Sequence, residues 1–350
     1  CWAPLIPYAK ARVGADDRML GLILLCLGIG AILAMPFTGW LSARVGSKPM
    51  VVASGIALAL LLPGLSVASQ PPILVVVLLG FGASLGTLDV AMNIHAVEVE
   101  RNAKVPLMSG FHAMYSVGGF IGAGAMTFLL SSGLTPWSSA LIGGAITAIA
   151  IVIAWPRLLS ARGGAASFAL PHGIVLLISG LGAVMFLAEG AMLDWGALLM
   201  IGKKLVPPEQ GGVGYMLFSI AMTIGRLTGD RLVARAGNCA ILTWGGLVAV
   251  VGFTVLLTAP FALAAMVGCL LVGLGASNIV PVLFRIAGNQ KAMPANLAVA
   301  ALTTVGYGGI LAGPAAIGYI SQRLGLPGAF WLLVGLVSFV PLCARRLTRE

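Results

Sequence analysis

Long apolar runs, each about the length of a membrane-crossing helix, constrain this chain more than any other feature. A hydrocarbon core about 30 Å thick asks for about 20 apolar residues per helix. Eleven stretches meet that demand: 19–42, 50–68, 72–95, 107–130, 137–155, 172–200, 211–233, 239–258, 261–285, 295–320 and 327–343. Residues 1–9 read as the tail of one more, so the chain is expected to open inside a first helix of a twelve-helix parent. Breaks are expected at Pro49, Pro71-Pro72, Pro136, Pro156, Pro207-Pro208, Pro260, Pro294 and Pro327. No stretch alternates in polarity as barrel strands do, so the fold class is an all-α polytopic membrane protein.

Composition supports the same conclusion. Charged residues make up 9% of the chain, against roughly 25% in soluble domains. The 48 glycines suit packed membrane helices, where small residues let backbones approach. The net charge of +10 is spread singly and in pairs between apolar runs, which argues against a nucleic-acid partner. The five cysteines and three histidines show no metal-ligand spacing. No GxxxxGK[ST] phosphate loop occurs. No cofactor, metal site or catalytic centre is therefore expected, and the chain does not read as an enzyme.

Basic residues set the orientation, because they concentrate in cytoplasmic loops. With the 1–9 remnant leaving the cytoplasm, 14 of the 20 Lys and Arg fall inside, among them Arg44, Lys48, Arg101, Arg157, Arg235, Arg285 and the C-terminal Arg345, Arg346 and Arg349. The C-terminus is expected in the cytoplasm. The long polar stretch 156–171 divides the chain into an N-terminal half, 1–155, and a C-terminal half, 172–350. The halves echo each other. Leu79–Ser84 matches Val272–Ser277, Val117–Ile121 resembles Tyr307–Leu311, and Arg44-Val45-Gly46 recurs as Arg235-Ala236-Gly237, all at offsets of 190 to 193. A parallel two-half repeat of this kind is found among transporters.

Between the second and third spans, Gly39-Trp40-Leu41-Ser42-Ala43-Arg44-Val45-Gly46-Ser47-Lys48 resembles the cytoplasmic loop signature of the major facilitator superfamily. Gly39, Arg44, Gly46 and Lys48 match it, whereas Ala43 stands where the signature has an acid that helps latch the outward-facing state. Ala188-Glu189-Gly190, Asp194-Trp195, Met222–Gly229, Phe111-His112 and Gly306-Tyr307…Gly313-Pro314 are similar to the YbjJ/MosC-like branch, which includes a rhizopine-transport protein. The resemblance implies two six-helix halves, alternating access, proton coupling and a small polar solute such as a polyol or sugar derivative. It also implies a monomer in a bacterial inner membrane, with a cavity lined by the first, fourth, seventh and tenth helices. Within the class, the alternative is an exporter of metabolites or drugs. The fifth span carries Ala123-Gly124 where drug antiporters of the superfamily commonly have Gly-Pro, which weighs against drugs. A transport-incompetent sensor on the same fold is the alternative from another class.

Ionisable groups within the hydrocarbon are costly and mark function. Asp16, Asp17, Glu98, Glu100, Glu209 and Glu350 are expected in loops or at the terminus. Asp89, Glu189 and Asp194 then remain on the fourth and seventh spans, with Asp230 near an inner helix end. Asp89 and His112 should reach similar depth at about 1.5 Å per residue, so a carboxylate–imidazole contact is expected, with Asn93 one turn from Asp89 on the same face. Glu189 is expected in the outer half, and Asn278 precedes a breaker, Pro281, on the tenth span. Tyr307 sits in a glycine-rich stretch. These residues are the proton and solute candidates. The gating candidates are Gly39, Arg44, Gly46, Lys48, Arg226 and Asp230, the last two being expected to pair at i, i+4.

Overall fold

The computed structural model describes residues 1–15, 17–160, 170–207, 210 and 212–348. Most of the expected linker, 161–169, lies outside them, as do Asp16, Glu209, Arg349 and Glu350. Every long regular element among the described residues is an α-helix: α1 (Ile6–Val13), α2 (Asp17–Val45), α3 (Ser47–Val67), α4 (Pro71–Ala103), α5 (Met108–Ser131), α6 (Pro136–Ala154), α7 (Ile174–Gly202), α8 (Val213–Thr258), α9 (Ala262–Ala276), α10 (Ile279–Asn289) and α11 (Ala295–Leu347).

Two of these hold two spans each. Helix α8 has 46 residues, about 69 Å at 1.5 Å per residue, more than twice a hydrocarbon core. It turns at Gly237, whose φ of 79° and ψ of 164° leave the helical region. Helix α11, of 53 residues, turns likewise at Gly325. The tenth span is split instead, with α9 ending at Ala276 and α10 beginning at Ile279. Pro36, Pro63, Pro314, Pro327 and Pro341 lie within helices. Neighbouring helices can satisfy the backbone groups that such prolines free in a membrane.

Contacts divide the chain into two compact units. One comprises Cys1–Val99, Met114–Ala169 and Val299–Ala301; the other comprises Glu100–Ala113, Leu170–Ala298 and Leu302–Glu350. The first is centred on Ile23, Leu65, Leu74 and Leu78, with Leu5, Leu62, Met126 and Ala140 as a second cluster. The second unit includes a glycine-mediated helix pair. Cβ atoms at Gly252 and Gly268 would come within 2.5 and 2.6 Å of backbone nitrogens on the facing helix, and Gly245 and Gly275 repeat the contact one heptad on. Without side chains there, α8 and α9 meet backbone to backbone, the close approach that small residues permit in lipid.

The repeat seen in the sequence is also present in the geometry. Gly46 has φ 88° and ψ 165°, and Gly237, its counterpart in the second half, has φ 79° and ψ 164°. In the first unit, Arg12 donates to the carbonyls of Leu65 and Ala68 at the end of α3, at 2.8 and 2.9 Å. In the second, Lys203 donates to Leu256, Leu257 and Ala259 at the corresponding end of α8, at 3.0, 2.6 and 3.3 Å. Donor and acceptors are displaced by the same offset that separates the two glycines. The last carbonyls of a helix have no intrahelical donor, and a cation placed there also meets the negative end of the helix dipole. Partial burial lowers the pKa of the Lys203 ammonium from the ordinary lysine value, and the three carbonyls act against that desolvation.

Removing that cap is expected to destabilise the second unit. Lys203→Met should lower stability by roughly 1–3 kcal/mol, the cost of stranding buried acceptors, read as a lower thermal midpoint in detergent. Lys204→Met, on an exposed neighbour, should leave the midpoint unchanged.

Candidate transport site

Buried charge in the second unit gathers at two centres. The first joins α7, α8 and the break between α9 and α10. Arg226 Nη2 lies 3.5 Å from Glu189 Oε2, and Arg226 Nε donates to the Ser277 carbonyl at 3.4 Å. Asn278 Nδ2 donates to the Gly225 carbonyl at 2.9 Å and to Ser277 Oγ at 3.0 Å. The break therefore turns backbone and side-chain oxygens toward α8. Gly225 makes the approach possible, since a Cβ there would overlap the Ser277 side chain. Arg226 stands close to midway between Val213, where α8 begins, and the kink at Gly237. The expected pairing of Arg226 with Asp230 is not what organises this region: Arg226 reaches Glu189 on α7, and Asp230 serves a different helix.

The second centre lies on the segment Glu100–Ala113. Glu100 forms a two-pronged ion pair with Arg285 of α10, through Nε and Nη2. Glu100 Oε2 also accepts the backbone N–H groups of Leu107 and Met108 at 2.7 and 2.9 Å. Asp230 accepts the next two, Ser109 and Gly110, at 2.9 and 2.7 Å, and lies 3.7 Å from Arg285 Nη2. Two carboxylates thus occupy the N-terminus of α5, where free N–H groups and the positive dipole end favour negative charge. Arg285 Nη1 donates to Asn238, and Arg101 donates to Asn289. Bidentate Arg–carboxylate pairs are among the stronger polar contacts. Removing one partner of a buried pair costs about 3–5 kcal/mol.

Glu98, Glu100 and Arg285 correct the sequence reading. The apolar pattern places all three at loops, yet α4 continues to Ala103, and Glu100 and Arg285 are buried at 8% and 7% exposure. In the first unit, Glu98 accepts from Ser47 Oγ at 2.7 Å, and His95 Nδ1 lies 2.9 Å from the same oxygen. The sequence contains one usable signal for Arg285, an arginine within an apolar run and one helical turn after Pro281. Nothing in helical periodicity links it to a glutamate on a helix of the other sequence half.

The remaining candidates are placed as follows. Asn93 Nδ2 donates to the Asp89 carbonyl at 2.8 Å and to Asp89 Oδ1 at 3.1 Å, as their shared face predicts. Asp89 falls in the first unit and His112 in the second, where the His112 ring stands 5.4 Å from that of Phe284. Tyr307 meets Phe186 edge to face at 6.4 Å. Asp194 is exposed, while the Nε1 atom of its neighbour Trp195 is buried with no hydrogen-bond partner among the described residues. Gly39 is buried on α2, and Arg44 stacks over Trp40 at 4.1 Å. Lys48 donates to the Leu158 carbonyl at 3.1 Å. Among the described residues no group of His, Cys, Asp and Glu could hold a metal ion.

Comparison with known proteins agrees with this architecture. Residues 2–169 match the family model described as Major Facilitator Superfamily. The chain is 47% identical to an uncharacterized MFS-type transporter of Yersinia pestis, over 99% of its own length and 91% of the relative's. It is 31% identical to the membrane protein MosC of Rhizobium meliloti, over 98% and 84%. Among solved structures, the human organic anion transporter MFSD10 superposes with a TM-score of 0.75 at 19% identity, covering 98% of this chain and 89% of that one. The E. coli fucose:proton symporter FucP gives 0.74 at 15%, covering 99% and 94%.

Packing between the two centres is testable. A Cβ at Gly229 would overlap the Asn278 side chain and come within 2.7 Å of Ser109 Cβ. Gly229→Ala is expected to lower the thermal midpoint by several degrees and reduce folded yield. Gly335→Ala, where a Cβ meets open space, should do neither.

Proposed function

The chain belongs to the major facilitator superfamily, and from that premise we propose a proton-coupled secondary transporter that moves a small polar solute by alternating access. The transporter family and a multi-pass, membrane-embedded fold are established by the relatives and by nine helices, among the described residues, that are long and apolar enough to cross a bilayer. Proton coupling, cargo and mechanism are our reading. So are the six-helix halves 1–155 and 172–350, the monomeric state, the bacterial inner membrane and the cytoplasmic C-terminus.

The observation that carries the reading is the polar centre around the N-terminus of α5. Glu100 and α5 come from the sequence half before the linker, and Asp230 and Arg285 from the half after it. A permanent structural element gains little from buried charges, because apolar packing of equal volume is often as stable or more so. A latch that must form and break gains specificity from them. In this reading Asp230 and Arg285 release Glu100 and the start of α5 when the cytoplasmic side opens. Glu100 then keeps its bonds to Leu107 and Met108, so the helix end is not stripped of every acceptor. Gly39, Arg44, Gly46 and Lys48 form the corresponding hinge region around the second and third spans.

Asp89 and Glu189 are the proposed proton carriers. Intramembrane carboxylates of this kind mark proton relays; Asn93 bonds to Asp89 in the first unit, and Asn278, Tyr307, His112 and Asp194 are the solute contacts proposed for the second. The fold shared with sugar–proton symporters accommodates such chemistry.

Proteoliposomes with an imposed pH gradient provide the test, using a panel of polyols, sugars and sugar acids. Asp89→Asn and Glu189→Gln should each reduce gradient-driven accumulation at least tenfold while leaving solute exchange at equal pH. Accumulation that stays proton-dependent in both variants removes the coupling assignment. Asp230→Asn should increase labelling of the Arg101→Cys variant from its own side of the membrane. Ser69→Cys and Arg101→Cys should label from opposite sides; labelling from one side breaks the proposed topology.

A further inference from the structure

We infer that His95, Ser47 and Glu98 form a proton relay in the first unit, which rests on the proton-coupled reading and gives Asp89 its route to the cytoplasm. All three residues belong to that one unit. Ser47 opens α3 directly after Gly46, and His95 and Glu98 lie about one turn apart on α4. The Ser47 hydroxyl is buried with a partner on either side, Glu98 Oε2 at 2.7 Å and His95 Nδ1 at 2.9 Å. Ring and carboxylate are further from each other, 3.6 Å, so the hydroxyl is the link between them.

Counting protons assigns the roles. A hydroxyl holds one proton, and an ionised carboxylate only accepts. Ser47 therefore donates to Glu98, and Nδ1 of His95 carries the proton that it donates to Ser47 Oγ. The lone pair of the neutral ring is then on Nε2, which meets no hydrogen-bond partner among the described residues. A proton that binds there makes the ring an imidazolium. The Nδ1 proton passes to Ser47 Oγ while the hydroxyl proton passes to Glu98 Oε2. The ring is left neutral with its proton on Nε2, the hydroxyl is intact and the carboxyl is neutral, so protons and charge balance across the shift. Glu98 releases its proton to water, and reorientation of ring and hydroxyl resets the chain. The His95 side chain is 10% exposed and that of Glu98 20%, which makes Glu98 the end nearer water. In the proposed topology the Ala103 end of α4 is cytoplasmic, and Asp89 lies about 9 Å deeper than His95 along the axis. Water admitted when the inner side opens covers that stretch.

The surrounding charges are engaged elsewhere. From α2, Arg44 stacks over Trp40. From α3, Lys48 donates to the Leu158 carbonyl and the Ser160 hydroxyl, and beyond α6 Arg157 donates to the Ile153 carbonyl. On α4 itself, Asn93 bonds to Asp89, and Glu100 and Arg101 pair with Arg285 and Asn289. The internal repeat sharpens the assignment. At the offset that relates Gly46 to Gly237, the counterparts of Ser47, His95 and Glu98 are Asn238, Ile286 and Asn289, none of which exchanges protons. They line a cavity beside Arg285 in the second unit. The titratable chain is thus particular to the unit that holds Asp89.

Two measurements on the full chain test the relay. In nanodiscs with 15N-labelled histidine, the neutral ring of His95, assigned by loss of its signals in His95→Gln, should carry its proton on Nδ1, and Ser47→Ala should abolish that preference. A neutral ring protonated on Nε2 beside an ionised Glu98 leaves Ser47 between two acceptors and overturns the relay. In proteoliposomes, an imposed pH gradient is applied with myo-inositol, galactitol, D-glucose and D-gluconate as probes. His95→Ala and Ser47→Ala should slow gradient-driven accumulation at least tenfold, Ser47→Thr should stay within about twofold of the unmodified chain, and added imidazole should restore most of the rate to His95→Ala. A static buried network would lose stability in the same variants, and a diffusible proton carrier would not relieve it. Unchanged accumulation in both alanine variants, or a loss in His95→Ala that imidazole does not relieve, overturns the relay and leaves the transporter reading intact. If the unmodified chain accumulates no probe, the relay falls together with the proton-coupled reading.

Discussion

Every charge that this chain places within the bilayer has to be answered by the chain itself, because the hydrocarbon offers no water to do so. That requirement explains why the polar residues form compact sets. Arg285 holds Glu100 and approaches Asp230; those carboxylates take four backbone N–H groups at the start of α5; Arg226 meets Glu189 and a carbonyl freed by a broken helix. Each set brings together a cation, a carboxylate and exposed backbone. The glycines at 225 and 229 belong to the same economy of space, since without their vacant Cβ positions the partners could not meet.

The internal repeat separates scaffold from chemistry. The caps made by Arg12 and Lys203 recur at one constant shift with the acceptor positions preserved, as does the unusual glycine conformation at 46 and 237. The charged centres do not recur. At the same shift Arg226 corresponds to Met35, Asp230 to Gly39, Arg285 to Ile94 and Asn278 to Thr87, while Asp89 and Asn93 correspond to Val280 and Phe284. Requirements common to both halves, such as ending a helix at an interface, kept common solutions. The groups proposed to move protons and solute are specific to one half or the other, as expected of a site assembled on a duplicated frame.

The spans are legible in the sequence because apolar length and proline punctuation are local properties, and so is the helix face shared by Asp89 and Asn93. Helix ends are less so. A charge read as the end of a span puts Glu98, Glu100 and Arg285 in loops, whereas α4 runs on to Ala103 and buries Glu100 against Arg285. The cost of a buried charge depends on its partner, and partners from opposite halves of a chain leave no periodic trace. Arg226 shows the same limit: the residue one turn along its helix is the only partner that periodicity can suggest, and Glu189 lies on another helix altogether.

The loop signature shows which of its features are physically required and which can be supplied from elsewhere. Its usual acid is replaced by Ala43, and the corresponding position in the second half, Ala234, is also uncharged. The start of α3 nevertheless has a carboxylate, because Glu98 reaches Ser47 from α4. The start of α5 has two, from Glu100 and Asp230. A helix N-terminus near the inner face needs an acceptor for its unsatisfied N–H groups and tolerates negative charge well. No rule of packing says which helix must provide it. An acid missing from one turn of a signature is therefore weak evidence that a latch is missing, provided that a carboxylate on a neighbouring helix reaches the same end.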